Sequence, residues 1–256
     1  MVQLRRFATG LDIPSIDPNE FQRADSAPLA TNGDGMINAS DVVQTRRFAT
    51  GLTLPTFASG PTQPLAAPAV IEPEINGVNA PGDVTRLRII PIDAANQNTV
   101  AIAVELYPRG GEAAVAFSIE YDAAVLGLPT VAPGAAMPAD VALTVNSNEP
   151  GRIRVLLDSA QELAITGTAV RIVVITFDVA ANASSETTLK FGPANECSAA
   201  DNFAERLKIK CGGNEGLTLV VRPIIANISR VTPFGLRTDA SLRLPISAAH
   251  GGGIFF

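Results

Sequence analysis

Between residues 84 and 221 the chain is cut into nine short runs of β-branched and aliphatic residues, and this ladder most limits what it can fold into. The runs are 84–92, 99–107, 113–122, 141–147, 152–158, 169–180, 187–192, 205–211 and 216–221, with Gly, Pro, Asn or Asp in most of the gaps. In AVELY (103–107) and RLKIK (206–210) every second side chain is apolar, the pattern of a strand with one face buried and the other wet. Regularly spaced strands without long helical periods predict a two-sheet sandwich. One helical interruption is expected, at YDAAVLGL (121–128), where Asp122 can cap a single turn.

The first 55 residues have a different grammar. Residues 2–11 read VQLRRFATGL and residues 43–52 read VQTRRFATGL, an identity of nine positions in ten. Each copy has helical spacing of its apolar residues and a glycine, Gly10 or Gly51, at the C-cap position. Between the copies, Pro14 and Pro18 break the chain and Asp17 is placed to cap a short helix at 19–24.

Ahead of the second copy stands TNGDGMINASD (31–41). A calcium loop of the EF-hand kind takes oxygen ligands at positions 1, 3, 5, 7, 9 and 12, with glycine at 6. With Ala30 at the first position, Asn32, Asp34, Gly35, Met36 (through its carbonyl), Asn38 and Asp41 fall in register, and Ile37 is the apolar anchor. The missing first ligand is expected from Asp25, with SAPLA (26–30) as an insertion that bulges out around Pro28. The competing view is an Asx-rich turn that caps the following helix. The expected cofactor is Ca2+.

This stretch resembles a dockerin, a module of two loop-helix calcium repeats in near-twofold symmetry. The resemblance covers residues 1 to about 55 and rests on NGDGMINASD and the duplicated RRF helix. It implies a cohesin partner contacted by Ala39, Ser40, Arg46 and Arg47, with Arg5 and Arg6 as equivalents in the first copy. The first copy starts inside its helix, without a loop of its own, so one calcium site is expected rather than two. A start at Met1 reads as a fragment, a processed product or a truncated gene.

Residues 56–74 hold four prolines among small residues and read as a semi-rigid linker. The strand ladder beyond it is similar to a cohesin or cohesin-like domain, a nine-strand jelly-roll sandwich. That similarity is carried by VAFSIEYDAAVLGL (115–128), GRIRVLLDSAQELAITGTAVRIVVITFDV (151–179) and a closing GLTLVV (216–221). The fold expected is therefore mainly β, a jelly-roll β-sandwich over 75–221 with a small α-helical, EF-hand-like module at the N-terminus. Related carbohydrate-binding sandwiches need planar aromatic platforms, and this chain has no Trp and only Tyr107 and Tyr121.

Composition removes other classes. Net charge is -6 with three lysines, which leaves no basic stripe for nucleic acid. No apolar run approaches a membrane span, and no signal peptide is visible. The single histidine, His250, excludes most triad, zinc and acid-base schemes. Cys197 and Cys211 form an even pair in a chain expected to be secreted or on the cell surface, so a disulfide worth about 3 kcal/mol is predicted. Sequons at Asn182 and Asn227 permit glycosylation.

The tail, 222–256, carries four arginines against one acid and offers SLRLPIS (241–247) as an extra strand or one donated to another copy. Together the modules predict a non-enzymatic assembly protein that docks dockerin-like onto cohesin-like parts. Docking between copies gives a head-to-tail filament, and docking within one chain gives a monomer. One rival is a scaffold that anchors a foreign enzyme or surface protein bearing a dockerin or cohesin. The other is a glycosidase using Glu105 and Glu120, against which stands their position on wet strand faces.

Overall fold

In the computed structural model, residues 1–15, 19–65, 84–94, 98–163, 169–180, 186–212 and 216–221 are described. Asp17, the linker from residue 66, both sequons, His250 and the tail 222–256 lie outside the described residues. All described residues belong to one compact unit, Met1–Ile224.

The strands are β1 (Thr85–Ile92), β2 (Thr99–Tyr107), β3 (Glu112–Glu120), β4 (Leu126–Pro133), β5 (Ala142–Asn146), β6 (Arg152–Asp158), β7 (Val170–Val179), β8 (Glu186–Phe191), β9 (Ser198–Asp201), β10 (Arg206–Leu207), β11 (Ile209–Cys211) and β12 (Leu217–Val220). One sheet runs β11-β1-β2-β7-β4. The second runs β10-β9-β3-β6-β5, with β8 joined to the far end of β3 and β12 joined to β8. All described pairings are antiparallel except β1 with β11.

Alternation builds the core. Ile102, Val104 and Leu106 of β2, Val115, Phe117 and Ile119 of β3, and Ile153, Val155 and Leu157 of β6 point between the sheets and are fully buried. Tyr121 packs on Phe177 with ring centroids 5.0 Å apart, and Phe117 meets Phe191 edge-on at 6.0 Å. At YDAAVLGL the structure has a turn closed by the Asp122 carboxylate, which accepts from Ala124 N at 2.8 Å, and then β4.

The disulfide joins Cys197, just before β9 in one sheet, to Cys211 of β11 in the other. It therefore clasps the two layers where the chain crosses between them. The double Cys197→Ser, Cys211→Ser variant is expected to lose about 3 kcal/mol, read as a lower denaturant midpoint.

Three helices precede the sandwich: α1 (Val2–Ala8), α2 (Glu20–Ala24) and α3 (Ala39–Ala49). α1 and α3 are the two copies of the repeat, and Gly10 and Gly51 follow them with φ of +69° and +73°, the left-handed conformation that ends a helix. Residues 56–65, expected as the start of a linker, lie along the loop instead. Gln22 Nε2 donates to Gly60 O at 2.7 Å, and Leu65 N donates to Gly35 O at 3.1 Å.

Candidate functional site: a helical module on a sheet face

Strand β3 is buried on both faces. Its outward residues Ala114 and Ala116 lie in register with Asp158 and Leu156 of β6 and with Ala200 and Ser198 of β9. An outward sheet face made of Ala, Ala, Leu and Ala is apolar and nearly flat, so a helix can approach its backbone closely. α3 does so: Ala39, Val42 and Val43, each 0% exposed, join Leu4 of α1 and these sheet residues in a second apolar cluster. Ala39 N donates to Ser198 Oγ at 3.3 Å, and Asn146 Nδ2 of β5 donates to Thr9 O at 2.9 Å.

The polar edge of this contact centres on Asp158, whose side chain is 1% exposed. Arg5 Nη2 donates to Asp158 Oδ2 at 3.0 Å, and Arg5 Nε lies 2.8 Å from Oδ1. Arg46 Nη1 lies 3.6 Å from Oδ2 and also donates to the carbonyl of Ser159. Arg5 and Arg46 are the same position in the two repeat copies, so the duplication delivers two guanidinium groups to one carboxylate. Burial pulls the Arg46 guanidinium below its ordinary range, and the charge of Asp158 opposes that shift. Under the seated module, Asp158 without its arginines would be a bare buried charge, so the docked arrangement depends on both guanidinium groups.

The next repeat position breaks the symmetry. Arg47 Nη1 donates to Asn202 O at 2.7 Å and its guanidinium sits 5.4 Å from the Phe203 ring centroid. Arg6 is turned away from the sheet and grips Asp12 at 2.5 and 2.7 Å. Ser40 is 4% exposed. Of the residues named from sequence, Arg5, Arg46, Arg47 and Ala39 therefore touch the sandwich. Asp158, the alanine face and Asn202 went unnamed, although AAVAFSI (113–119), apolar at every position but one, was the visible sign of a strand covered on both sides.

The loop below α3 draws its acids together. Asp25 Oδ1 and Oδ2 accept from Asp34 N at 3.0 Å and Gly35 N at 2.7 Å, so the fold brings Asp25 against the loop. The fit requires Gly33, where a Cβ would come within 2.6 Å of the Asp25 carboxylate. Asp41 Oδ1 accepts from Ser26 N at 2.7 Å and Ala27 N at 2.9 Å, and its Oδ2 from Asn38 N at 2.9 Å. Asn38 Oδ1 in turn accepts from Ser40 N at 2.8 Å, and with the bond from Asn38 N to Asp41 this closes a capping box on α3. Asn38→Ala is expected to cost about 1 kcal/mol, read by thermal denaturation.

Burial, with Asp25 nearby, pushes the Asp41 carboxyl up to about 8 against the pull of its three amide bonds. Burial also raises Asp25 and Asp34, and the charge of Asp34 adds to the rise at Asp25. A divalent cation would relieve this crowding, and Asp25, Asp34, Asp41, Asn38 and the Met36 carbonyl would hold it, although each of them now accepts a hydrogen bond within the loop. Asn32 is engaged elsewhere, its Nδ2 on Ser59 and its Oδ1 accepting from Thr56. Among the described residues no three His, Cys, Asp or Glu side chains are gathered into a metal-holding group, so amide and carbonyl oxygens must complete any such shell.

Glu105 and Glu120 stand on different sheets, both outward, with Glu105 near Arg171 at 3.9 Å and Glu120 bonded to Arg152 at 2.6 Å and Lys190 at 3.0 Å. They face opposite sides of the sandwich and cannot flank one glycosidic bond.

The family model for the cohesin domain matches residues 92–202, fewer than half of the 256. No curated protein matches the chain. Among solved structures, the sixth cohesin of Acetivibrio cellulolyticus scaffoldin B, in complex with the Cel5 dockerin, is 17% identical, with 54% of this chain and 99% of that one covered and a TM-score of 0.45. The seventh ScaB type I cohesin of Pseudobacteroides cellulosolvens is 18% identical, with 61% and 99% covered and a TM-score of 0.44. CaCohA2 of Clostridium acetobutylicum is 16% identical, with 55% and 92% covered and a TM-score of 0.44. The family match and the two-sheet topology together identify residues 92–202 as a cohesin domain.

Proposed function

We propose that the chain is an extracellular or cell-surface assembly protein whose dockerin-like helical module, ordered by calcium, docks on the cohesin sheet β9-β3-β6-β5. Cohesin domains bind dockerins in protein-protein assembly. The observation that carries the reading is the convergence of Arg5 and Arg46, equivalent residues of a duplicated helix, on the buried Asp158. The same contact made between copies is heterologous and propagates head to tail. Among the described residues no helix is long and apolar enough to cross a membrane.

Light scattering across a concentration series, in calcium and then in EGTA, tests this. Growth of regular polymers in calcium that vanish on chelation supports docking between copies. A monomer that loosens on chelation supports docking within the chain. A particle indifferent to calcium at every concentration overturns the calcium part.

A further inference from the structure

On the side of the sandwich formed by β1, β11, β8 and β12, the sheets leave a groove of about 740 Å³. Its floor is apolar, with Leu87, Leu189, Phe191 and Leu217, and its rim carries Arg86, Arg88, Lys190 and Lys210. Lys190 is paired with Glu120, but among the described residues Arg86, Arg88 and Lys210 have no ion-pair partner. The protein is acidic overall, so this collection of cations is local and against the trend.

The walls of the groove are strand edges. β11 covers β1 only at Thr85, Arg86 and Leu87, after which the chain leaves at Gly212. Beyond that point the β1 edge has no described ladder partner; β12 comes close to β1 but gives its ladder bonds to β8. An open edge beside an apolar trough accepts an added strand, whose backbone pairs with β1 while alternate side chains enter the trough.

We propose that this groove binds an extended peptide that alternates apolar and acidic residues, adding a strand to β1 at residues 88–90. Its apolar side chains lie on the half-buried Ile89, Phe191 and Leu217, and its carboxylates face Arg86, Arg88 and Lys210. The tail of this chain is the wrong occupant by charge, since residues 222–256 hold four arginines and one acid. The site lies apart from the Asp158 contact and stands whether or not the docking proposal holds.

The test is fluorescence anisotropy on the full chain with three labelled probes: a short peptide alternating valine and glutamate, the same peptide with lysine for glutamate, and SLRLPIS. Saturable binding of the glutamate peptide alone is expected, weakening with salt and falling at least about tenfold in the Arg88→Glu, Lys210→Glu variant. Hydrogen exchange on the unaltered protein should slow at residues 88–90 when the glutamate peptide is added, which decides the matter should the variant fail to fold. Equal binding of the lysine peptide or SLRLPIS overturns the charge assignment. Absence of saturation with the glutamate peptide overturns the site and leaves the cations as guards of an exposed edge.

Discussion

Asp158→Lys is expected to drive the helical module off the sandwich. The substitution removes the one carboxylate shared by Arg5 and Arg46 and sets a third cation beside them at a site that is 1% exposed. Breaking a buried pair by removing one partner costs about 3–5 kcal/mol, and reversal adds repulsion. The guanidinium groups keep some solvent, with Arg5 at 22% and Arg46 at 14% exposed, so the lower end applies to loss of charge alone, as in Asp158→Asn. The core of β2, β3 and β6 does not involve this face, so the sandwich should stay folded. Limited proteolysis should therefore cut within residues 1–65 while a fragment containing the disulfide survives. Simultaneous Arg5→Glu and Arg46→Glu exchange should restore part of the protection. A variant as resistant to protease as the parent would remove Asp158 from the centre of the contact.

A comparably large effect is expected from pH and calcium together. Without metal, the folded state holds a proton on Asp41 up to about pH 8, whereas the ordinary carboxyl loses it near 3.8. Between those values the folded chain binds more protons than the unfolded one, so stability is greatest at the acid end and declines as pH rises toward about 8. The slope from this group is at most about 1.4 kcal/mol per pH unit, and Asp25 and Asp34 act in the same direction. If the loop holds calcium as proposed, the metal would take the ionised carboxylates and reverse the preference. Melting temperatures of the EGTA-treated protein should thus fall from pH 5 to pH 8, and added calcium should raise them more at pH 8 than at pH 5. Metal at a hundredfold excess over its dissociation constant contributes about 2.7 kcal/mol. A flat profile with no calcium response would leave the loop as a helix-capping turn.

The sandwich was legible because the alternation of residues such as Val115, Phe117 and Ile119 is local information. β4 was missed for a physical reason. It carries Gly127, Pro129 and Pro133, which argue against a central strand, and the structure places it at the end of its sheet, where a proline costs no ladder bond on the open side. β9, SAAD, is too short and too small-sided to announce itself. ERLKIKC looked like one strand and is two, because the chain crosses there from the β9 sheet to the β1 sheet. The nine-strand expectation becomes twelve strands among the described residues for the same reasons.

The N-cap of α2 is Asn19 and not the expected Asp17, but the helical module was readable in its repeat and in the glycines that follow α1 and α3, since these lie within a few turns of chain. Its seat on the sandwich was not. Asp158 is 153 residues from Arg5, and nothing at either position names the other. Residues 56–65 read as linker because prolines and small residues give no period, yet Gly60 and Leu65 pack on the loop through close backbone approach, which composition does not encode.

The most direct measurement places benzoylphenylalanine at position 203, under Arg47, in a mixture of unlabelled and ¹⁵N-labelled full-length protein, and maps the photoproducts by mass spectrometry. The docked arrangement predicts cross-links to peptides of Ala39–Ala49, of one isotope for contact within a chain and of mixed isotopes for contact between copies. Cross-links that never reach that helix would contradict the seating of the module on the sheet.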